Sequence, residues 1–372
     1  MKKYKILIIT DYAAPYEGNF IESLKALHKK LKDNANEIVY LFSPKAKDKN
    51  CVSGLQKLGY KVYFGSESVK DNIKIIRKAI KQEKITMLYT HFCSLKTQLQ
   101  VKLVRFFNPK LKLISHFHNH YKYEGRFPRK QLQFISYNGD LNIACSKSVM
   151  GSIPYSNKKT VYIDNCINFE RLNNYRDVNI EGLDNKFVIL MFGFDYYRKG
   201  VDIAIKALKR INNPNIVLAI SLSKNRKTVE ENIIKDFGTI PKFVKFLDPI
   251  DDIATYYNKA DVFLSASREE GLCYSVIEAA YCKTKIVVSN ISGVLTNIPG
   301  EFLFESEDYL ALSNIIAKIY KGNVEEKKVE AYMFVKDNYS IEKWVSETVS
   351  CIEEKLWNRK KRMSIKWKLC LL

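Results

Sequence analysis

The sequence predicts an α/β protein of two doubly wound, parallel-sheet domains, and three observations carry that prediction. Short runs rich in Ile, Val, Tyr and Phe alternate with longer segments of helical period. The short runs are continuously apolar, as strands covered on both faces must be. The pattern lapses once, over residues 168–186, and then restarts. At 372 residues the chain is also longer than one core usually serves. A single barrel of eight strand–helix units fits less well, because seven strand-like runs precede the lapse and five or six follow it.

In chain order, KILIIT, EIVYLFS, YKVYFG, TMLYTH, LKLISHF, LNIACS and TVYID read as strands of a first domain, residues 1–167. Between the first two, FIESLKALHKKLK places Leu24, Leu27 and Leu31 on one helical face and Lys25, Lys29 and Lys32 on another. Residues 168–186, NFERLNNYRDVNIEGLDNK, are polar, Asn-rich and aperiodic, the signature of a linker. KFVILMFG, NIVLAIS, KFVKFL, ADVFLSAS and KIVVSN then read as strands of a second domain, residues 187–340. In such sheets ligands bind at the carboxyl ends of the strands, so a cleft between the domains is the expected site. Residues 341–358 read as an amphipathic helix and 359–372 as a basic tail. From Lys355 onward there are seven basic residues and no acidic one, interleaved with Trp357 and Trp367, which makes an anionic membrane surface a candidate partner.

Lys and Arg number 61 and Asp and Glu 40, a formal net charge of +21. That excess favours an anionic partner: nucleic acid, acidic membrane or a phosphorylated small molecule. The eight cysteines contain no C-x-x-C pair, so neither a disulfide framework nor a zinc module is expected, and a reducing cytoplasm fits. The run ILIIT stops at Asp11, too short for a signal-peptide core, and nothing approaches the roughly 18 apolar residues of a membrane span. A cytoplasmic protein is expected, with peripheral contact to the inner membrane face. No P-loop, G-x-G-x-x-G, D-x-D or cysteine-spaced DNA-binding motif occurs, and nucleic acid is not expected as a partner.

The chemistry concentrates in SASREEGLCYSVIEAA, residues 265–280. A strand ends near Ser267, and a helix is expected from Tyr274 or Ser275 to Cys282. Glu270 and Gly271 then sit in the turn and Glu278 about one turn inside the helix. Gly271 lets backbone approach a ligand. The amides of Leu272, Cys273 and Tyr274 are donors at a helix N-terminus, suited to phosphate. The two carboxylates are separated by up to about 12 Å, the span of a nucleotide diphosphate sugar. One can accept from a ribose diol and the other from sugar hydroxyls. An acidic helix start favoured by the macrodipole accounts for Glu269 and Glu270 but leaves Glu278 unexplained.

This stretch resembles the E-x7-E motif of retaining glycosyltransferases of family 4, whose GT-B fold is two Rossmann-like domains facing across a cleft. The resemblance implies that Glu270 contacts the donor sugar, Leu272 to Tyr274 the diphosphate and Glu278 the ribose, with Gly271 also in the donor site. Cys273 stands where the family commonly has Gly, and Lys283 and Lys285 replace a Gly and a Pro of the following turn. FGFDYYRKGVDIAIKAL, residues 192–208, resembles the family's phosphate-binding element, with Gly193 near its start and Lys199 as the phosphate-binding lysine. Phe194 occupies the usual arginine position, and Arg198 is expected to supply that charge to a leaving diphosphate. DYAAPYEGNFIESL matches the family's first loop, with Gly18 and Asn19 near donor phosphate and acceptor, and VYIDNCINFERL matches I-P-N-G-I-D.

His118 matches the histidine that faces the donor sugar in that family. By the resemblance His118, Glu270, Lys199 and Arg198 are the catalytic residues, the last helix crosses back to the first domain, and no metal or other cofactor is needed. His116, His118 and His120 alternate and would share one strand face, so a three-histidine zinc site is the competing reading. Against it, the run offers no carboxylate second shell. The expected partners are a nucleotide-sugar donor and a glycan or lipid-linked acceptor in cell-envelope (capsule) polysaccharide synthesis. Two rivals are a non-catalytic basic protein binding RNA or membrane, which Lys96, Arg105, Lys110, Arg126, Arg129 and Lys130 among aromatics would suit, and a nucleotide-sugar epimerase.

Overall fold

Along strand β1 (Lys5–Thr10), Ile6 and Ile8 pack into one apolar cluster and Leu7 and Ile9 into another, all four buried. A strand buried on both faces carries apolar residues at every position, which is why KILIIT shows no polar alternation. The structure is a computed structural model that describes residues 4–15, 17–33, 36–120, 139–153, 160–176, 180–222, 225–248, 250, 252–291, 297–324 and 327–357. The basic tail at 359–372 and Arg126, Arg129 and Lys130 lie outside the described residues. The chain divides into two units, Met1–Cys166 together with Ile341–Leu372, and Ile167–Ser340.

In unit 1, β1 joins β2 (Glu37–Phe42), β3 (Val62–Phe64), β4 (Met87–His91), β5 (Lys112–Phe117), β6 (Leu141–Ala144) and β7 (Thr160–Tyr162). They form one parallel sheet in the order β3-β2-β1-β4-β5-β6-β7. Its first face is covered by α1 (Gly18–Asp33), α2 (Asn50–Lys57) and the last helix, α12 (Ile341–Ile352). Ile21, Leu24, Leu27 and Leu31 of α1 are fully buried there, each contributing about 1.5–3 kcal/mol of apolar burial. Trp344, Val345, Val349 and Ile352 of α12 complete the same cluster. α3 (Val69–Gln82) and α4 (Leu95–Phe106) cover the opposite face through Ile76, Ala79, Val101 and Val104. The short α5 (Lys147–Ser152) follows β6.

Unit 2 repeats the plan with β8 (Phe187–Phe192), β9 (Ile216–Ser221), β10 (Val244–Leu247), β11 (Val262–Ser265), β12 (Lys285–Asn290) and β13 (Phe302–Glu305). The order is β10-β9-β8-β11-β12-β13, again parallel. Val188 and Leu190 face a layer of α8 (Ala254–Lys259), α9 (Tyr274–Tyr281) and α11 (Lys328–Tyr339). Ile189 and Met191 face α6 (Val201–Ile211), α7 (Arg226–Phe237) and α10 (Tyr309–Tyr320). Among the described residues no helix is long and apolar enough to cross a membrane.

Three local features differ from the sequence reading. β13, FLFE, was not anticipated: it is a four-residue edge strand with Leu303 exposed, too short and too open to stand out as an apolar run. The segment expected as a linker carries a 3-10 turn, Phe169–Leu172, and buries Leu172 and Leu183 in the core of unit 2. The histidine run does not lie on one strand face. β5 ends at Phe117, His118 follows it, and His120 turns away to hydrogen-bond Ser148 Oγ. The residue that joins His116 and His118 is His91, at the end of the neighbouring strand β4.

Candidate functional site

In each sheet the strand order reverses once, between β1 and β4 in unit 1 and between β8 and β11 in unit 2. Crossovers leaving neighbouring strands in opposite directions open a crevice at the carboxyl ends, the place where such sheets bind ligands. In unit 2 the loops that rise there are 193–200, after β8, and 266–273, after β11. They touch at backbone level. Gly200 has φ +68, and a Cβ placed on it would lie 2.0 Å from the Ala266 carbonyl oxygen. Gly193 is equally confined, since a Cβ there would come 2.5 Å from Ile220 Cγ2. The Arg268 amide donates to the Arg198 carbonyl at 2.8 Å, and the Arg268 guanidinium holds both oxygens of Asp202, the second residue of α6, at 2.8 Å. This clamp was not anticipated from the sequence, because Arg268 and Asp202 meet only when the two loops do.

The clamped loops bring Arg198, Lys199 and Glu270 together. Lys199, 9% exposed, places its Nζ on Glu270 Oε1, and Arg198 Nη1 stands 3.6 Å from the same oxygen. Ser267 Oγ donates to Glu270 Oε1 at 2.9 Å. The Phe194 ring lies beneath both cations, 5.3 Å from the Arg198 guanidinium carbon and 5.1 Å from Lys199 Nζ. The residue standing in the family's arginine position is therefore a cation–π platform for the two charges beside it.

Gly271 and Leu272 lead into Cys273, the residue that caps α9. Cys273 is buried, 3.6 Å from Ser265 Oγ and 3.3 Å from Ser275 Oγ, and burial followed by the Glu270 charge pushes its thiol up. It packs as a small apolar side chain behind the loop. One expected amide donor is already used: Tyr274 N–H bonds the Leu272 carbonyl at 3.0 Å, because the turn entering α9 closes on itself.

Glu278, inside α9, is 5% exposed. Tyr257 Oη donates to its Oε2 at 3.0 Å, and the Arg171 guanidinium contacts Oε1. A carboxylate removed from water requires partners of this kind. Burial, then the charge of Glu278, pushes the Tyr257 phenol well up, so it remains a donor. Arg171 belongs to the 3-10 turn of the expected linker, which is braced by Phe169 stacking on Tyr281 at 4.2 Å and by Tyr281 Oη donating to Asn173 at 2.8 Å. Its role at Glu278 had no sequence signal, the two residues being 107 positions apart.

Gly18, Asn19 and His118 belong to unit 1. Gly18, with φ +64, opens α1 and Asn19 follows it. Beside them Asp11 accepts from Ser94 N–H at 2.7 Å and Thr97 Oγ at 2.9 Å, tying the loop after β1 to the start of α4. His118 keeps some exposure as a residue while its ring is enclosed, stacked on Phe92 at 3.9 Å. Both its nitrogens are engaged: Nε2 lies 3.0 Å from His91 Nδ1 and Nδ1 3.2 Å from Asn165 Nδ2. Burial holds His91 and His118 well below the ordinary imidazole range, with neighbouring histidines adding to it, and brings His116 to about 3. All three rings are neutral near pH 7.

The Glycosyl transferases group 1 family model matches residues 176–333, which contain the Lys199 loop and both glutamates of E-x7-E. Protein CapJ of Staphylococcus aureus is 25% identical over 222 residues, 55% of this chain and 54% of CapJ, so the chain spans about half the length of that relative. A glycosyltransferase from Rickettsia africae superposes with a TM-score of 0.77 at 19% identity, covering 96% of this chain and 100% of that one. Anabaena HepE in complex with UDP superposes with a TM-score of 0.76 at 16% identity, covering 94% of this chain and 100% of that one. At such identities the structural likeness establishes the fold. Two doubly wound sheets with these neighbours make the fold GT-B, and residues 176–333 match the Glycosyl transferases group 1 model.

Proposed function

We propose that the chain is a retaining glycosyltransferase that moves a sugar from a nucleotide-sugar donor to a hydroxyl of a glycan or lipid-linked acceptor, without a metal ion on the diphosphate. The observation that carries this reading is the meeting of Lys199, Arg198 and Glu270 at the crevice of unit 2, one helical segment away from buried Glu278. Without donor, Glu270 neutralises Lys199. On binding, the diphosphate takes Lys199 and Arg198, and Glu270 is released to accept from sugar hydroxyls. Glu278, already oriented by Tyr257, receives the ribose diol. As the bond from the anomeric carbon to the diphosphate oxygen breaks, the growing negative charge falls on fixed cations in a site with little water. The acceptor oxygen bonds to the anomeric carbon on the face the diphosphate leaves, and its proton passes to the departing diphosphate oxygen. His118, neutral and with both nitrogens engaged, serves as an oriented ring rather than as an acid or base.

For the acceptor, the reading points to a polar cavity of about 300 Å³ in unit 1, at the carboxyl ends of β1 and β2, lined by Asp11, Ser43, Lys45, Asn72, Lys96 and Thr97. A cell-envelope polysaccharide role at the cytoplasmic membrane face rests on the motif resemblance and the basic composition. Because HepE structures hold UDP and UDP-glucose, UDP is the first probe. UDP, GDP or ADP is expected to raise Tm, and the matching sugar donor to release its nucleoside diphosphate without added Mg²⁺ or Mn²⁺. A chain whose Tm responds to none of the three and that transfers no sugar from a donor panel would remove the proposal. Retention is read from the product's anomeric configuration by NMR, and an inverted linkage would overturn that part alone.

A further inference from the structure

Beside the crevice of unit 1, the ends of β4 and β5 carry His91, His116 and His118, and one ring nitrogen from each lies within 4.8 Å of one from each of the others. The zinc reading considered for the sequence placed three histidines on one strand and lacked anything to orient them. The fold changes both points. His91 replaces His120, so the rings come from two paired strands and the residue after one of them. Two of the rings are also held from behind. Tyr89 Oη lies 3.0 Å from His116 Nδ1, and the Asn165 side-chain amide lies 3.2 Å from His118 Nδ1. At His116 the tyrosine oxygen on Nδ1 leaves Nε2 available to an ion, as behind a metal-ligating histidine, whereas His118 Nε2 exchanges its contact with His91 Nδ1 for the ion.

Two of the nitrogens are stranded. His91 Nε2 and His116 Nε2 are fully buried with no hydrogen-bond partner among the described residues, in residues 0% and 3% exposed. A buried polar nitrogen without a partner costs about 1–3 kcal/mol, and two side by side call for a shared ligand. Tyr89, Phe20, Phe92 and Trp344 pack around the rings.

We infer that His91, His116 and His118 bind one divalent transition-metal ion of the class that prefers imidazole, zinc foremost. Nitrogens about 2.0–2.1 Å from a tetrahedral zinc stand roughly 3.4 Å apart. The rings must therefore draw together by about 1.4 Å at most, a movement that small side-chain rotations supply. The remaining position of the ion takes a water molecule. The ion orders the ends of β4 and β5 in unit 1. It shares His118 with the donor reading, whose cations and carboxylates all belong to unit 2.

The test uses the full chain without a histidine tag. After growth with zinc and gel filtration, elemental analysis is expected to find close to one equivalent of metal. Chelation should lower Tm, and zinc alone should restore it. Co²⁺ added to the stripped protein should give the visible absorption of a four-coordinate site. Tyr89→Phe, which removes only the hydroxyl behind His116, should weaken cobalt binding about 10–100-fold with the circular dichroism spectrum unchanged. His116→Gln should abolish the cobalt spectrum. Sub-stoichiometric metal together with no cobalt spectrum would overturn the inference, as would metal retained equally by His116→Gln, which would place it elsewhere.

Discussion

Lys199 is paired with Glu270, which Ser267 also holds, so under the proposed function an incoming diphosphate has to displace that carboxylate. Removing the lysine leaves Glu270 with Arg198 at 3.6 Å and deprives the leaving group of its nearest cation. Lys199→Ala is expected to lower kcat on the order of 10²–10³-fold, measured by release of nucleoside diphosphate. Glu278→Gln should raise the Kd for the nucleoside diphosphate about tenfold or more by calorimetry, since it exchanges a charged acceptor for a neutral one. Unchanged binding would remove the ribose role. A separate residue tests acid stability. His28 is buried against Tyr60 at 3.6 Å with its Nδ1 3.0 Å from Tyr40 Oη, and burial followed by the charge of Lys32 brings it down to about 4. Below its ordinary 6.5 the unfolded chain takes up the proton first. The stability associated with this histidine is thus present above pH 6.5 and lost between pH 6.5 and 4, by at most about 3 kcal/mol. His28→Gln should flatten that part of the denaturation profile relative to the parent. The spacing of Glu270 and Glu278 was readable because eight positions of one strand–turn–helix fix it locally. Arg171 at Glu278 was not, because the pairing depends on where two distant segments dock.

At the level of elements, the crevice of unit 2 depends on two loops that touch through backbone. Gly200 sits where φ is +68 and where an added Cβ would meet a carbonyl at 2.0 Å, so Gly200→Ala meets both left-handed strain and a clash that no side chain can relieve. A loss of more than about 2 kcal/mol is expected, a fall in Tm of several degrees for a unit of this size, with nucleoside diphosphate binding weakened as well. Equal Tm and binding would show that the loops can part at no cost. The strands and helices around this crevice followed from periodicity, because each buries a face whose spacing is written locally. β13 escaped because an edge strand of four residues buries too little to leave a pattern. The alternating histidines misled for the related reason that alternation describes a strand only while the strand lasts, and β5 ends at Phe117.

At the scale of the whole molecule, the last helix belongs to the first unit. α12 contributes Trp344, Val345, Val349 and Ile352 to the cluster that α1 builds on the first sheet. A chain ending at Ser340 would expose the part of that cluster packed under α12, and limited proteolysis is expected to degrade unit 1 first while unit 2 persists. Trp344→Ala in the intact chain should cost about 3–5 kcal/mol by denaturant unfolding. Comparable resistance of both units in the truncated chain would contradict this account of the core. The sequence by itself determined the fold class, two parallel sheets in succession, and the local motifs at the crevice of unit 2, since strand burial, helical period and the Glu270–Glu278 spacing are all properties of neighbouring residues. Only the tertiary structure decided that Phe194 underlies Arg198 and Lys199, that Arg171 and Tyr257 hold Glu278, and that His91 rather than His120 completes the histidine cluster. Each of these is a meeting of segments that are distant in sequence or turn at a loop, and the packing of strands and loops, not residue spacing, brings them within reach.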